Sequence, residues 1–229
     1  MQLKSKINAV RERITRAAEG CGRAADSVQL VTVSKTMPIP VLETAIDAGV
    51  RLFGENYIQE AREKHTALGA RDVQWHFIGH LQRNKAKYAV RIFDLIHSVD
   101  SLRLAEELDK QAGKSGKVQQ ILIQVNISRE ASKSGIREDE VLQLARDISG
   151  LEHIAVKGLM TMPPFFNAPE KVRPFFRQLK QLRDRIRSEN IGGVDMDELS
   201  MGMTGDFETA IEEGATLVRI GTAIFGERH

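Results

Sequence analysis

A second cysteine, an apolar run of membrane-spanning length and any large excess of one charge are all missing from this 229-residue sequence. The lone thiol, Cys21, cannot close an internal disulfide, which suits a reducing compartment. Residues 1–16 alternate charged and apolar side chains and lack the continuous apolar stretch of a secretory signal. No segment approaches the roughly 18 apolar residues of a membrane span. A cytoplasmic protein without a membrane partner is therefore expected. The 33 basic and 31 acidic residues leave a net charge of only +2. That balance argues against nucleic-acid binding, which needs a clustered basic excess. The one basic stretch, residues 173–187, carries Leu and Ile at helical spacing and reads as a solvated helix face.

What is present is a regular rhythm. Leu3, Ile7, Val10 and Ile14 step by four, three and four, the stripe of an amphipathic helix that Gly20 and Gly22 end. Strands follow at 28–34, 51–53, 73–78, 95–99, 120–127, 154–160, 198–201 and 217–220. Helices at 41–48, 57–68, 84–93, 102–111, 138–148, 169–188 and 206–213 separate them. Strict alternation with short connections predicts parallel strands and right-handed crossovers. Eight strands in this length predict one TIM-type (β/α)8 barrel over residues 1–229, with an extra N-terminal helix. An open, doubly wound sheet is the alternative.

Three apparent motifs dissolve in this context. Gly20 to Ala25 fits G-x-G-x-x-A, but it follows a helix and precedes a strand, the reverse of a dinucleotide fingerprint. Gly113-Lys114-Ser115 resembles the tail of a P-loop, yet the first glycine of that motif would fall at Leu108, inside a helix. His76 and His80 have a zinc-like spacing only on a helix, and here they flank a strand end. They read as a hydrogen-bonded rim histidine and a surface histidine, and no metal site is expected.

In a barrel, chemistry gathers where strands end. The first strand delivers Lys35 to that rim. A lysine there either extends to solvent or, with its pKa lowered by burial or a nearby cation, becomes a nucleophilic amine. The last two strands deliver Ser200 to Thr204 and Arg219 to Thr222. Glycines and hydroxyls in those loops suit phosphate oxygens, although turn chemistry alone also explains Gly202 and Gly221. Closure makes the eighth strand a neighbour of the first, so Arg219 and Lys35 can face one ligand.

Seven ordered blocks then carry a resemblance. They are Thr32-Val33-Ser34-Lys35-Thr36, Phe53 to Tyr57, Trp75 to Gln82, Gln124 to Ser128, Gly158 to Met162, Leu199 to Met203, and Val218 to Gly226. Together they resemble the pyridoxal phosphate homeostasis protein family, related to the N-terminal barrel of alanine racemase. The resemblance implies pyridoxal 5′-phosphate (PLP) bound through a Schiff base at Lys35. It implies phosphate contacts from Ser200, Gly221 and Thr222, Arg219 facing the pyridine nitrogen, and Asn56 beside the ring. Thr204 stands where the family commonly has serine, and the hydroxyl is kept. The implied role is to bind, buffer and deliver the cofactor in vitamin B6 homeostasis, with no assigned turnover. Recipients would be apo forms of PLP-dependent enzymes.

An always-charged arginine is a poor proton donor to the ring nitrogen, which weakens the ring as an electron sink. Amino-acid racemisation, the alternative activity, also needs a second base. In alanine racemases that base is a tyrosine from an additional domain of a partner subunit, which this sequence is expected to lack. Only Tyr57 and Tyr88 are available here, and Tyr57 reads chiefly as the first residue of a helix. A monomer is expected. A third reading is a different phosphate ligand, with Lys35 as its charge partner only.

Overall fold

The computed structural model describes residues 2–69, 71–130, 133–164, 166 and 168–227. The strands are β1 (Gln29–Val33), β2 (Leu52–Glu55), β3 (Gln74–Phe77), β4 (Leu95–Val99), β5 (Gln119–Asn126), β6 (Ile136–Arg137), β7 (Ile154–Met160), β8 (Val194–Ser200) and β9 (Leu217–Ile220). The α-helices are α1 (Gln2–Gly20), α2 (Ile39–Asp47), α3 (Ile58–Leu68), α4 (Ala86–Ile92), α5 (Leu102–Lys114), α6 (Val141–Ile148), α7 (Arg173–Ser188), α8 (Phe207–Glu212) and α9 (Thr222–Phe225). All strand pairs are parallel. The order β4-β3-β2-β1-β9-β8-β7-β5 closes on itself through the β4–β5 pair. The result is the expected eight-strand barrel, with the small β6 attached outside the ring on β5.

Side chains alternate between two apolar layers. Outward-facing strand residues pack under the helices in one continuous core. Inside the barrel, Val31, Leu52, Leu95, Leu122, Met160 and Leu217 form a separate buried cluster. Each such side chain contributes roughly 1.5–3 kcal/mol on burial. Two residues further along β4 and β9, the same inward face carries His97 and Arg219 instead. The barrel interior is thus apolar at mid-height and polar beneath its C-terminal rim. Helix α1 buries Ile7, Val10, Ile14 and Ala18 outside the ring, against α8, α9 and α2.

The structure corrects several boundaries. β8 spans seven residues and not the four of 198–201. Asp195 and Asp197 obscure its start, but they face outward while Val194 and Met196 are buried. A register shift between Val156 and Gly158 absorbs extra residues of β8, with Met196 at a φ of 56°. Gly158 permits this close approach, since a Cβ there would lie 1.9 Å from the Glu198 carbonyl oxygen. β2 continues through Gly54 to Glu55, because Gly54 faces Val31 where a Cβ would crowd it at 2.8 Å. The helices expected from 84, 138 and 169 begin with single 3₁₀ turns. β6 and α9 were not anticipated.

Candidate functional site

A cavity of about 250 Å³ opens at the C-terminal rim. Five of the six residues singled out in the sequence line it, namely Lys35, Asn56, Arg219, Gly221 and Thr222. Thr204, Gly205 and Asp206 from the loop after β8 complete the polar wall, and Met162, Phe166 and Met203 add apolar surface. Ser200 is not part of that wall. It is fully buried, and its hydroxyl accepts a 2.6 Å hydrogen bond from Arg219 Nη1. It therefore holds the arginine, and the cavity's hydroxyls come from Thr204 and Thr222.

Lys35 follows β1 in a turn that is tightly tied from behind. Thr36 adopts a φ of 66°, a costly conformation for a β-branched residue. Its backbone N–H donates to Glu60 Oε1. Lys64, only 3 % exposed, donates to the Ser34 carbonyl at 2.7 Å, to Glu55 Oε1 at 2.7 Å and to Glu60 Oε1 at 2.6 Å. The Ser34 hydroxyl also donates to Glu55 Oε1, at 2.6 Å. Burial pushes the Glu55 carboxyl up from its ordinary value, and Lys64 opposes that rise. This buried network anchors the backbone on either side of Lys35.

The neighbouring wall comes from β9. In the closed barrel β9 lies against β1, with Arg219 in register with Val31. Arg219 is 4 % exposed, and its Nη2 donates to the Thr161 carbonyl at 2.9 Å. Burial lowers its pKa to about 10, while Asp206 acts through space to raise it. At neutral pH the guanidinium is still charged in about 999 molecules of 1,000. Behind Arg219, Ser200 Oγ lies 2.8 Å from His97 Nδ1, and His97 Nε2 lies 3.0 Å from His76 Nδ1. His76, expected at the rim, is thus an interior residue, and His80 is exposed.

Two details mark the cavity as a polar ligand site. Asn56 Oδ1 is buried with no hydrogen-bond partner among the described residues. Such an orphan costs stability unless a ligand or solvent satisfies it. Asp206 Oδ1 accepts a 2.6 Å bond from the Met203 N–H and fixes the 203–206 loop. Burial raises the Asp206 carboxyl above its ordinary value.

Sequence reasoning puts His97 at the end of the fourth strand without giving it a role, and it misses Lys64 and Asp206. Counting by two from the inward Leu95 would have placed His97 inside the barrel. Lys64 and Asp206 left no comparable signal. Tyr57, the possible second base, is 59 % exposed and borders a different hollow, shared with Arg62, His80 and Tyr88.

A closed parallel barrel whose rim cavity gathers a lysine, a buried arginine and the hydroxyls of Thr204 and Thr222 defines a class of barrel proteins that bind small polar ligands. Comparison with known proteins narrows the class. The alanine racemase N-terminal domain family matches residues 6–229. The pyridoxal phosphate homeostasis protein of Aquifex aeolicus is 45 % identical over 228 residues, covering 100 % of this chain and 99 % of that one. The structure of PipY from Synechococcus elongatus with PLP bound superposes with a TM-score of 0.86 at 34 % identity, covering 98 % of this chain and 100 % of that one. An alanine racemase of Clostridium difficile shares the fold, with a TM-score of 0.76 at 15 % identity, and this chain spans 57 % of it. The chain belongs to the pyridoxal phosphate homeostasis protein family, within the alanine racemase N-terminal domain group.

Proposed function

We propose that this protein binds pyridoxal 5′-phosphate through a Schiff base on Lys35, and that it buffers and delivers the cofactor in the cytoplasm. The observation that carries the reading is the convergence of Lys35, Asn56, Arg219, Gly221 and Thr222 on one cavity. The donor set fits the group. Lys35 supplies the amine, Thr204 and Thr222 supply hydroxyls for the phosphate, and Arg219 supplies a buried cation for the pyridine nitrogen. The orphaned Asn56 Oδ1 gains a polar neighbour beside the ring. When bound, the cofactor supplies an electrophilic carbonyl carbon and an electron-withdrawing ring. The relative from Aquifex aeolicus is named for cofactor homeostasis, and the PipY structure holds PLP.

The site favours holding over turnover. Arg219 stays charged at neutral pH and is a weak proton donor to the ring nitrogen. Tyr57 is not among the residues lining the cavity, so an amino-acid racemase reading lacks its second base. Residues 1–229 act as one cofactor-binding unit, a monomer, with apo PLP-dependent enzymes as recipients. Among the described residues no helix is long and apolar enough to cross a membrane.

Two experiments test the reading. Borohydride reduction of the loaded protein followed by peptide mapping is expected to place the adduct on Lys35, and an adduct elsewhere or none overturns the assignment. Mixing the loaded protein with an apo enzyme is expected to restore that enzyme's activity, and no recovery overturns the delivery role.

A further inference from the structure

The hydrogen-bond chain behind Arg219 has only one consistent direction. A guanidinium donates and never accepts. Arg219 Nη1 therefore donates to Ser200 Oγ, and the single serine proton is left to point at His97 Nδ1. His97 Nδ1 must then be bare, its proton lies on Nε2, and that N–H donates to His76 Nδ1. His76 in turn carries its proton on Nε2. The reverse arrangement, with His97 Nδ1–H donating to Ser200, leaves the serine O–H without an acceptor among the described residues at a site with no solvent exposure.

We propose that His97 and His76 are positioning residues for the cofactor, two neutral Nε2-protonated imidazoles that hold Arg219 at the cavity wall and leave its positive charge unneutralised toward the ligand's ring nitrogen. The proposal rests on the PLP reading above. Its physical basis is how a buried cation is compensated. A carboxylate at position 97 would form an ion pair and cancel the charge. A chain of dipoles stabilises the guanidinium without cancelling it. Among the described residues both hydrogen bonds of the Arg219 guanidinium go to neutral oxygens, the Ser200 hydroxyl and the Thr161 carbonyl, and the Asp206 carboxylate acts on it only through space. The groups that bear on His97 are His76 and Arg219, and neither favours an imidazolium. Burial lowers the His76 pKa to about 3, which agrees with a neutral pair. Three strands, β3, β4 and β8, supply the chain, and β9 supplies the arginine, so only the closed barrel assembles it.

The tautomers can be read without any cofactor. In the full chain labelled with ¹⁵N-histidine, long-range ¹H–¹⁵N spectra assigned through His76→Asn and His97→Asn are expected to show both rings neutral and Nε2-protonated from pH 5 to 8. A charged ring or an Nδ1–H tautomer at either position overturns the proposal. In the loaded protein, Ser200→Ala and His97→Leu each break the chain. Each is expected to shift the visible absorption maximum and to speed cofactor loss by about tenfold. His97→Asn can place its amide oxygen where Nδ1 stands and is expected to retain the parent spectrum. Parent-like spectra and dissociation rates in both chain-breaking variants overturn the positioning role. Should His97→Leu fail to fold, the smaller Ser200→Ala change decides alone. A parent protein that takes up no PLP overturns the functional reading and the ligand half of this proposal together, while the tautomer spectra still decide the chain.

Discussion

Lys64 Nζ donates a 2.7 Å hydrogen bond to the carbonyl oxygen of Ser34, the residue immediately before Lys35. The same ammonium bridges Glu55 and Glu60, so all three of its protons are engaged. Lys64→Met keeps the unbranched stem, one atom shorter, and leaves the Glu55 carboxylate buried without its cation. Breaking a buried pair in this way costs about 3–5 kcal/mol. Urea unfolding should register that loss, and the variant should also release cofactor faster because the 34–36 turn loosens. An unchanged midpoint and release rate would count against the anchoring role.

Arg219→Lys retains the charge and loses the planar fork. One ammonium cannot reach Ser200 Oγ, the Thr161 carbonyl and a ligand as the guanidinium does. A lost charge-assisted hydrogen bond is worth about 1.5–3 kcal/mol. Equilibrium dialysis is therefore expected to find PLP bound about 10- to 100-fold more weakly.

Acid should destabilise the fold earlier than carboxylate chemistry alone requires. His76 has a pKa of about 3 when folded, against an ordinary 6.5. Between those values the unfolded chain holds a proton that the native state refuses, so stability is full above pH 6.5 and falls as pH drops toward 3. The slope from His76 is at most about 1.4 kcal/mol per pH unit, and His97 adds in the same direction. Denaturant titrations at pH 7, 6 and 5 should show the decline, and His76→Asn should flatten it. Equal slopes in the two proteins would remove the histidine as the cause.

Tyr57→Phe should leave both PLP binding and solvent-deuterium exchange into amino acids unchanged, because Tyr57 lies outside the cavity and is 59 % exposed. Measurable exchange in the parent that disappears in the variant would reinstate the racemase.

Gly158→Ala places a Cβ 1.9 Å from the Glu198 carbonyl oxygen, and both sides of that clash are strand backbone. Separating β7 from β8 should cost about 4 kcal/mol or more, in the range of the most damaging single substitutions. Thermal unfolding would detect it, and a melting temperature like the parent's would contradict the packing described.

Much of this molecule was legible before any coordinates. Period-two and period-3.6 patterns located each barrel strand, and their alternation with helices implied closure. β8 is the least legible strand, because its outward Asp195 and Asp197 hide a buried Val194 and Met196. Lys35, Asn56, Arg219, Gly221 and Thr222 were identified individually and do share one cavity. The resemblance implies a phosphate contact from Ser200, whereas its hydroxyl lies beneath the cavity wall, between Arg219 and His97.

What the sequence alone determined was therefore which residues stand at strand ends and which face inward, since both follow from local periodicity. What only the tertiary structure decided was which inward polar groups meet. Ser200 and His97 are 103 residues apart, and Lys64 reaches Ser34 from α3 across 30 residues. Such contacts depend on inter-strand register and on the curvature that closes the barrel, and neither quantity is carried by the spacing of residues within one strand.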